Sequence, residues 1–167
     1  DARADASGLV FGASRSARAD LSLSVVDVLR GGNGTLRATM DSVRAAGIDI
    51  GTLTCRLLIA DLTSGHPLTE LRSDRRILRL GEGVDQTKRL SSAAMDRVIH
   101  CLQEWRNVID GYHVEATAVV ATSAVRDAAN RDDFLERVKR EAGFEVEVIS
   151  GEEEARRTLL GIRSGLP

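Results

Sequence analysis

Two short apolar segments separated by a Gly/Thr turn are the feature that most limits the folds open to this chain. Residues 46–50 and 55–60 have the length and the aliphatic content of buried strands. Only Gly51 to Thr54 lies between them, so the two segments predict a β-hairpin. A third strand is predicted from about Leu68 to Leu80. The folded part of the chain is therefore expected to begin with three antiparallel strands.

The rest of the chain alternates helices and strands. Apolar residues recur every three or four positions after Ser91, as on one face of a helix. The further elements predicted are a helix from Ser91 to Gly111, strands at Val114–Ala121 and Phe144–Ile149, a helix capped by Asn130, and a final helix opened by Ser150. Strands separated by helices pair in parallel through right-handed crossovers. The order predicts an α/β fold: a ribonuclease-H-like half-domain with three antiparallel strands followed by βαβα units.

Residues 1–39 have a different composition from the segment that begins at Ala45. They are rich in Ala, Arg, Ser and Asp, and their apolar residues show no lasting period. A transit peptide would be poor in acidic residues, and Asp5 and Asp20 count against that interpretation. We expect residues 1–39 to be a poorly ordered tail, or translated upstream sequence with the natural start at Met40.

Charge and cysteine content exclude several function classes. A net charge of −2 argues against broad binding to a nucleic acid polymer, which needs a basic surface. Cys55 and Cys101 form no Cys/His cluster of the kind that binds a metal. No apolar run approaches the roughly 18 residues of a membrane span. Two unclustered cysteines suit a reducing compartment, and we expect a cytoplasmic protein without a membrane partner.

The predicted hairpin is the first candidate for chemistry. Backbone amides and hydroxyls of a Gly/Thr turn can face a phosphate group. Asp49 lies where the buried strand meets the turn, so its carboxylate is a candidate ligand for a hydrated magnesium ion. The alternative is an ordinary hairpin in which the threonine hydroxyls satisfy the turn amides.

Arg126 is the second candidate. It follows the strand that ends at Ala121, and open α/β sheets place ligands beyond the carboxyl ends of their strands. Its guanidinium group matches phosphate oxygens bidentately. A surface salt bridge with Asp127 or Asp132 is the alternative.

Three glutamates at the start of the last helix are the third candidate. Ser150 and Glu153 have the spacing of a capping box, which gives Glu153 a structural role. Glu152 and Glu154 are then available for other roles, although acidic residues also complement the helix dipole. Like charges so close raise one another's pKa, which suits a general base. The spacing does not choose between Glu152 and Glu154.

Four further motifs stand out along the chain. They are GIDIGTLTCRLLIA at 47–60, RLGEG at 79–83, ATSAVRDAAN at 121–130 and ISGEEEAR at 149–156. Together they resemble the exopolyphosphatase and guanosine pentaphosphate phosphohydrolase (Ppx/GppA) family. The resemblance runs from about Ala45 to Pro167 and is specific, although the first motif alone is shared with sugar kinases and other members of the actin-like ATPase superfamily.

The resemblance implies an actin-like domain that binds polyphosphate or guanosine penta- or tetraphosphate. It implies magnesium-dependent attack of water on the terminal phosphoryl group, with release of orthophosphate, and a homodimer for the full-length protein. The family's catalytic glutamate matches Glu154. Its first phosphate loop matches Gly51, Thr52 and Thr54, and its phosphate-contacting arginine matches Arg126.

Two departures from the family pattern bear on function. Many members have an asparagine in the first loop where this chain has Leu53. Residues 45–167 match only the first part of the family's first domain, and they stop before its second phosphate loop, an Asp-x-Gly-Gly-Gly-type turn. We therefore expect the segment from Asp1 to Pro167 to be weak or inactive alone and a longer gene product to be active. A regulator that binds these ligands without hydrolysis is the main alternative, and an actin-like sugar or acyl kinase is a third.

Overall fold

A computed structural model describes residues 42–63, 66 and 68–164, with side chains up to residue 157. The tail predicted at residues 1–39 lies outside the described residues. In chain order the strands are β1 (Ser42–Ile50), β2 (Thr54–Thr63), β3 (Thr69–Ile77), β4 (Ala116–Ala121) and β5 (Glu147–Val148). The helices are α1 (Val84–Thr87), α2 (Ser92–Gly111), α3 (Ser123–Arg126), α4 (Arg131–Ala142) and α5 (Gly151–Ser164).

The described strands form one sheet in the order β3-β2-β1-β4-β5. β1, β2 and β3 pair antiparallel, and the hairpin register places Ile50 opposite Cys55. β4 pairs with β1 in parallel, and β5 pairs with β4 in parallel. The sheet confirms the predicted ribonuclease-H-like architecture of three antiparallel strands followed by βαβα units. Because β1, β4 and β5 are parallel, their carboxyl ends lie at one edge.

The main core lies between the sheet and two helices. Ile48, Ile50 and Leu57 pack in the same cluster as the buried faces of α2 and α4. Trp105 of α2 is completely buried, and its Nε1 donates a hydrogen bond to Asp74 Oδ2 at 2.9 Å. A smaller cluster of Ala45, Leu62 and Ala118 lies apart from it. Since side chains alternate along a strand, Ala45 and Asp49 belong to the sheet face that Ile48 and Ile50 do not use.

The boundaries differ from the predicted ones where local signals are weak. β1 begins at Ser42, β3 ends at Ile77, and β5 has only two residues, against six predicted. The one-turn helices α1 and α3 were not predicted, because four residues are too few to show a helical period. None of the helices in the described part of the chain combines the length and hydrophobicity that a transmembrane helix needs.

Asn130 lies at the predicted start of its helix, but the predicted side-chain cap is wrong. Asn130 precedes α4, but its side chain makes no capping hydrogen bond. Its Oδ1 accepts from Leu90 N at 2.8 Å, and its Nδ2 donates to Leu90 O at 3.0 Å. The buried side chain therefore joins the start of α4 to the segment before α2. A longer-range pair of hydrogen bonds replaces the local one that the sequence predicts.

Candidate active site

A cleft of about 240 Å³ opens at the edge of the sheet where β1 and β4 end. Five of the six residues predicted for the site line it: Asp49, Gly51, Thr52, Thr54 and Glu154. Arg126 does not line the cleft, but it forms an ion pair with Glu154, which does. The hairpin, the segment after β4 and the start of α5 thus meet at one place.

The hairpin turn has a conformation that requires glycine at its first position. Gly51 N donates to Thr54 O at 3.0 Å, and a Cβ added to Gly51 would lie 2.9 Å from that carbonyl oxygen. The amide of Gly51 is therefore engaged within the turn. The amides of Thr52 and Leu53 donate to no acceptor among the described residues. These two amides belong to the kind of turn that can receive an anion.

The segment after β3 holds the hairpin in place. Leu78 N and Arg79 N both donate to Leu53 O, at 3.0 and 2.9 Å, and Gly81 N donates to Thr52 O at 2.9 Å. A Cβ on Gly81 would lie 2.4 Å from Thr52 Cγ2, so only glycine permits this approach. The side chain of Leu53 remains about half exposed.

A hydroxyl pair connects the hairpin to the segment after β4. Thr52 Oγ1 lies 2.9 Å from Ser123 Oγ, and either hydroxyl can donate. Thr122 and Ser123 also line the cleft. Ser123 begins the one-turn helix α3, so a short sequence after a buried strand supplies two hydroxyls to the cleft. Hydroxyls of this kind can donate to phosphate oxygens.

Arg126 occupies the junction between α3 and α5. Its Nη1 donates to Ile149 O at 3.1 Å and lies 3.5 Å from Glu154 Oε2. Its Nε lies 3.4 Å from Asp127 Oδ1, so one of the two predicted surface contacts is present. The other is absent, because Asp132 pairs with Arg131.

The three glutamates of α5 have different surroundings. Ser150 Oγ accepts from Glu153 N at 3.1 Å, which confirms Ser150 as the cap. The reciprocal half of the predicted capping box is wrong: the Glu153 carboxylate instead accepts hydrogen bonds from Arg156 and Arg157. These arginines lower the pKa of Glu153 to about 2. Glu154 alone of the three lines the cleft, with its side chain less than half exposed.

Arg56 is a cleft residue that the sequence analysis did not select. The hairpin register pairs it with Asp49, and its Nη1 lies 3.9 Å from Asp49 Oδ2. Its Nε–H is buried and has no acceptor within the described part of the chain. The signal was available, since a four-residue turn places positions 49 and 56 side by side on one face.

Arg157 is the second cation that was not selected. Its side chain is buried, and it pairs with Glu147 at 3.1 Å and with Glu153 at 2.6 Å. Glu153 is one helical turn before Arg157, which is the spacing of a stabilising ion pair. The pair with Glu147 attaches α5 to β5 and could not be read from the sequence. Arg157 therefore lines the cleft as a cation whose charge Glu147 and Glu153 balance.

The cleft carries two carboxylates but no larger ligand cluster. Among residues 42–63, 66 and 68–164, no group of three His, Cys, Asp or Glu side chains could hold a metal ion. Asp49 and Glu154 line the same cleft. Mg²⁺ commonly binds through one or two carboxylates together with water and substrate phosphates, so this donor set fits it.

The cysteines have no part in the cleft. Cys55 and Cys101 are both buried and unbridged. Burial raises the pKa of the Cys101 thiol to about 11 and raises that of Cys55 further. Both thiols stay neutral near neutral pH, which removes them as nucleophiles.

These features define a class of protein. A sheet of three antiparallel and two parallel strands, with a polar cleft beyond the parallel strand ends, is the ribonuclease-H-like unit of the actin-like ATPase superfamily. The model of the Ppx/GppA phosphatase family matches residues 58–167, which is more than half of the chain. The chain therefore belongs to the Ppx/GppA phosphatase family.

Known relatives agree with this assignment. The chain is 38% identical over 125 residues to the bifunctional 3-dehydroquinate synthase/phosphatase of Fusobacterium nucleatum, covering 71% of this chain and 19% of that protein. It is 35% identical over 122 residues to exopolyphosphatase 1 of Mycobacterium tuberculosis, covering 72% and 35%. The crystal structure of the Aquifex aeolicus family member superposes with a TM-score of 0.66 at 43% identity, covering 69% and 37%. The chain thus spans only about a fifth to two fifths of these proteins.

Proposed function

We propose that this protein hydrolyses the terminal phosphoanhydride bond of inorganic polyphosphate and releases orthophosphate. Guanosine pentaphosphate is the second substrate of the proposal. The observation that supports this proposal most is that Glu154 lines the same cleft as the Gly51–Thr54 turn and Arg56. A carboxylate, unpaired amides and a cation then surround one small volume. Relatives named exopolyphosphatase support the inorganic substrate.

The reaction is a direct displacement by water. Glu154 accepts a proton from a water molecule as the water oxygen forms a bond to the terminal phosphorus. The bond from that phosphorus to the bridging oxygen breaks, and the shortened chain leaves with the electron pair. Arg126, at 3.5 Å from Glu154, positions this carboxylate and brings positive charge near the transferred group.

The turn residues and the arginines bind the substrate. The amides of Thr52 and Leu53 and the hydroxyls of Thr52 and Thr54 donate to nonbridging oxygens. Arg56 lines the cleft, so its guanidinium group is suited to the same oxygens. Asp49 would hold Mg²⁺, which would supply positive charge that stabilises the transition state.

The role of Glu154 is tested by replacing it in the full-length protein. Glu154→Gln keeps the size of the side chain but removes the base, and turnover is expected to fall about a hundredfold or more. Orthophosphate release from polyphosphate and from guanosine pentaphosphate is the measurement. Glu152→Gln is the matched control, because Glu152 is the exposed glutamate two residues earlier in the same turn. Equal rates for the two variants would remove Glu154 from the mechanism.

The same assay separates the alternatives. A wild-type protein that binds polyphosphate or guanosine pentaphosphate but releases no orthophosphate would be a regulator, and the apolar Leu53 side chain in the binding turn would then be the first residue to change. Transfer of the γ-phosphoryl group of ATP to an organic acceptor would instead identify a kinase. Release that needs Glu154 establishes the phosphohydrolase.

A further inference from the structure

A row of residues crosses the sheet at the level of the cleft. The strand registers place Val120 of β4 beside Asp49 of β1, and Asp49 beside Arg56 of β2. All three line the cleft. The same register continues one strand further and pairs Arg56 with Arg75 of β3. Directly opposite residues project from the same face, so Arg75 extends the row beyond the cleft wall.

The residues directly beside Arg75 on its own face carry no negative charge. Ser73 and Ile77 flank it on β3, and the diagonal neighbours on β2 are Thr54 and Leu58. Arg75 is exposed and forms no ion pair with any described residue. The face of β3 that carries Arg75 thus differs in charge from the helix-covered face of the same strand.

On the helix-covered face, Arg76 has acidic partners. Arg76 follows Arg75 directly and lies on that face opposite Cys55. It pairs with Asp74 and with Glu104 of α2. Asp74 and Glu104 therefore offset the charge of Arg76. Among the described residues, Asp49 is the one acid that pairs with either Arg56 or Arg75, and its contact with Arg56 is 3.9 Å long.

Two like charges directly opposite one another on paired strands destabilise a sheet. Arg56 is only about a quarter exposed, its contact with Asp49 is 3.9 Å long, and its Nε–H lacks an acceptor among the described residues. An anion between the two guanidinium groups removes the repulsion and accepts from both. Adjacent strands are about 4.8 Å apart, so such an anion lies next to one bound in the cleft.

We propose that Arg75, together with Arg56, forms a second anion subsite that holds a phosphoryl group of the substrate beyond the group that is cleaved. The inference rests on the proposed function and deepens it, because it makes affinity depend on the number of linked phosphates. The ligand is a chain of phosphoryl groups, which an inorganic polyphosphate or the further phosphates of a guanosine nucleotide can supply.

The test compares substrates of different length in the full-length protein. The variants are Arg75→Gln and Arg72→Gln. Arg72 is an exposed arginine of the same strand, and its register partner Ile59 belongs to the helix-covered core, so Arg72 lies on the opposite face. KM is measured at low ionic strength for tripolyphosphate, for long-chain polyphosphate and for guanosine pentaphosphate, since salt screens exposed charges.

Arg75→Gln is expected to raise the KM for long-chain polyphosphate about tenfold, the loss of one charge-assisted contact, and to raise the KM for tripolyphosphate less. Arg72→Gln is expected to keep the wild-type values. If Arg75→Gln raises the KM for guanosine pentaphosphate alone, the subsite binds the phosphates of the nucleotide. Thermal unfolding of both variants checks that each is folded.

The outcomes separate this inference from the proposed function. Orthophosphate release by the wild type, with Arg75→Gln and Arg72→Gln equal on every substrate, overturns the subsite and leaves the hydrolase in place. Binding without release rejects the hydrolase, and the ratio of dissociation constants for long-chain polyphosphate and tripolyphosphate then tests the subsite. A wild type that neither binds nor cleaves these compounds overturns both.

Discussion

At the scale of single residues, the shape of the cleft depends on Gly81, which has no side chain. Gly81 lies against Thr52, and its hydrogen atom occupies the place where any other residue would have its Cβ atom. The contact sets the position of the Thr52 hydroxyl, which lies 2.9 Å from Ser123 Oγ. Gly81 thus shapes the site without contacting a ligand.

Gly81→Ala is expected to displace the hairpin. The added Cβ would lie 2.4 Å from Thr52 Cγ2 and 3.2 Å from Ala124 Cβ, so the turn must shift. We expect the free energy of unfolding to fall by about 1–3 kcal/mol, as in overpacked cores, and orthophosphate release to fall with it. Urea unfolding and the release assay measure the two effects.

Gly111→Ala is the matched control for this change. A Cβ at Gly111 meets nothing within 4 Å, and the residue ends α2 with ordinary helical backbone. Alanine there is expected to be neutral or to stabilise by up to about 1 kcal/mol. A Gly81→Ala protein as stable and active as Gly111→Ala would show that the close approach to Thr52 is unimportant.

Individual site residues were predictable to different degrees. Gly51, Thr52, Thr54 and Glu154 follow from motifs, and the structure brings all four to one cleft. Their roles remain predictions. The contact of Arg157 with Glu147 was not predictable, because Glu147 lies ten residues earlier on another element. Sequence spacing describes contacts along a helix but not contacts between a helix and a strand.

At the scale of elements, Asn130 joins two parts of the helical layer. It satisfies both backbone groups of Leu90, which lies 40 positions earlier and is itself buried. Ala129 N also donates to Lys88 O at 2.8 Å. The segments before α2 and α4 are therefore held together by backbone and side-chain hydrogen bonds.

Asn130→Ala is expected to destabilise the protein. It leaves the N–H and C=O of Leu90 buried without partners, a loss of about 1–3 kcal/mol. Chemical denaturation gives the free energy of unfolding. Asn107→Ala is the control, since Asn107 is exposed on α2. If the two substitutions have the same effect, the bond pair contributes nothing and Asn130 is a replaceable residue.

Element type was predicted better than element ends. The hairpin, α2 and α4 have strong hydrophobic periods, and each is present as predicted. β5 is two residues long because only Glu147 and Val148 pair with β4. Phe144 is buried in the core without strand pairing, so its apolar character indicated burial and not a strand.

At the scale of the whole molecule, paired carboxylates tie stability to pH. Asp61, Glu104, Glu141 and Glu153 each accept hydrogen bonds from an arginine, and this contact lowers the pKa of each. A carboxyl group with a lowered folded pKa stabilises the fold above its unfolded pKa. That stabilisation is lost as the pH falls through the folded value.

The protein is therefore expected to lose stability in acid, between about pH 4.5, the ordinary value for glutamate, and about pH 2, the value for Glu153. Urea unfolding at a series of pH values measures the slope. Glu153→Gln removes one of these groups, so its free energy of unfolding should change less over this range. Parallel curves for the variant and the wild type would contradict a stabilising role for the pairs of Glu153 with Arg156 and Arg157.

The order in which the chain brings its parts together has a consequence for the time course of folding. β1 meets β2 across a four-residue turn, but it meets β4 only after some seventy intervening residues, as in the pairing of Ala46 with Thr117. Local pairing is fast, and distant parallel pairing must first overcome the entropy of closing a long loop. The Gly51–Thr54 turn can thus form early, whereas Glu154 joins the cleft only after the later strands have paired. The residues that line the cleft are therefore all in place only once nearly all of residues 42–157 have folded.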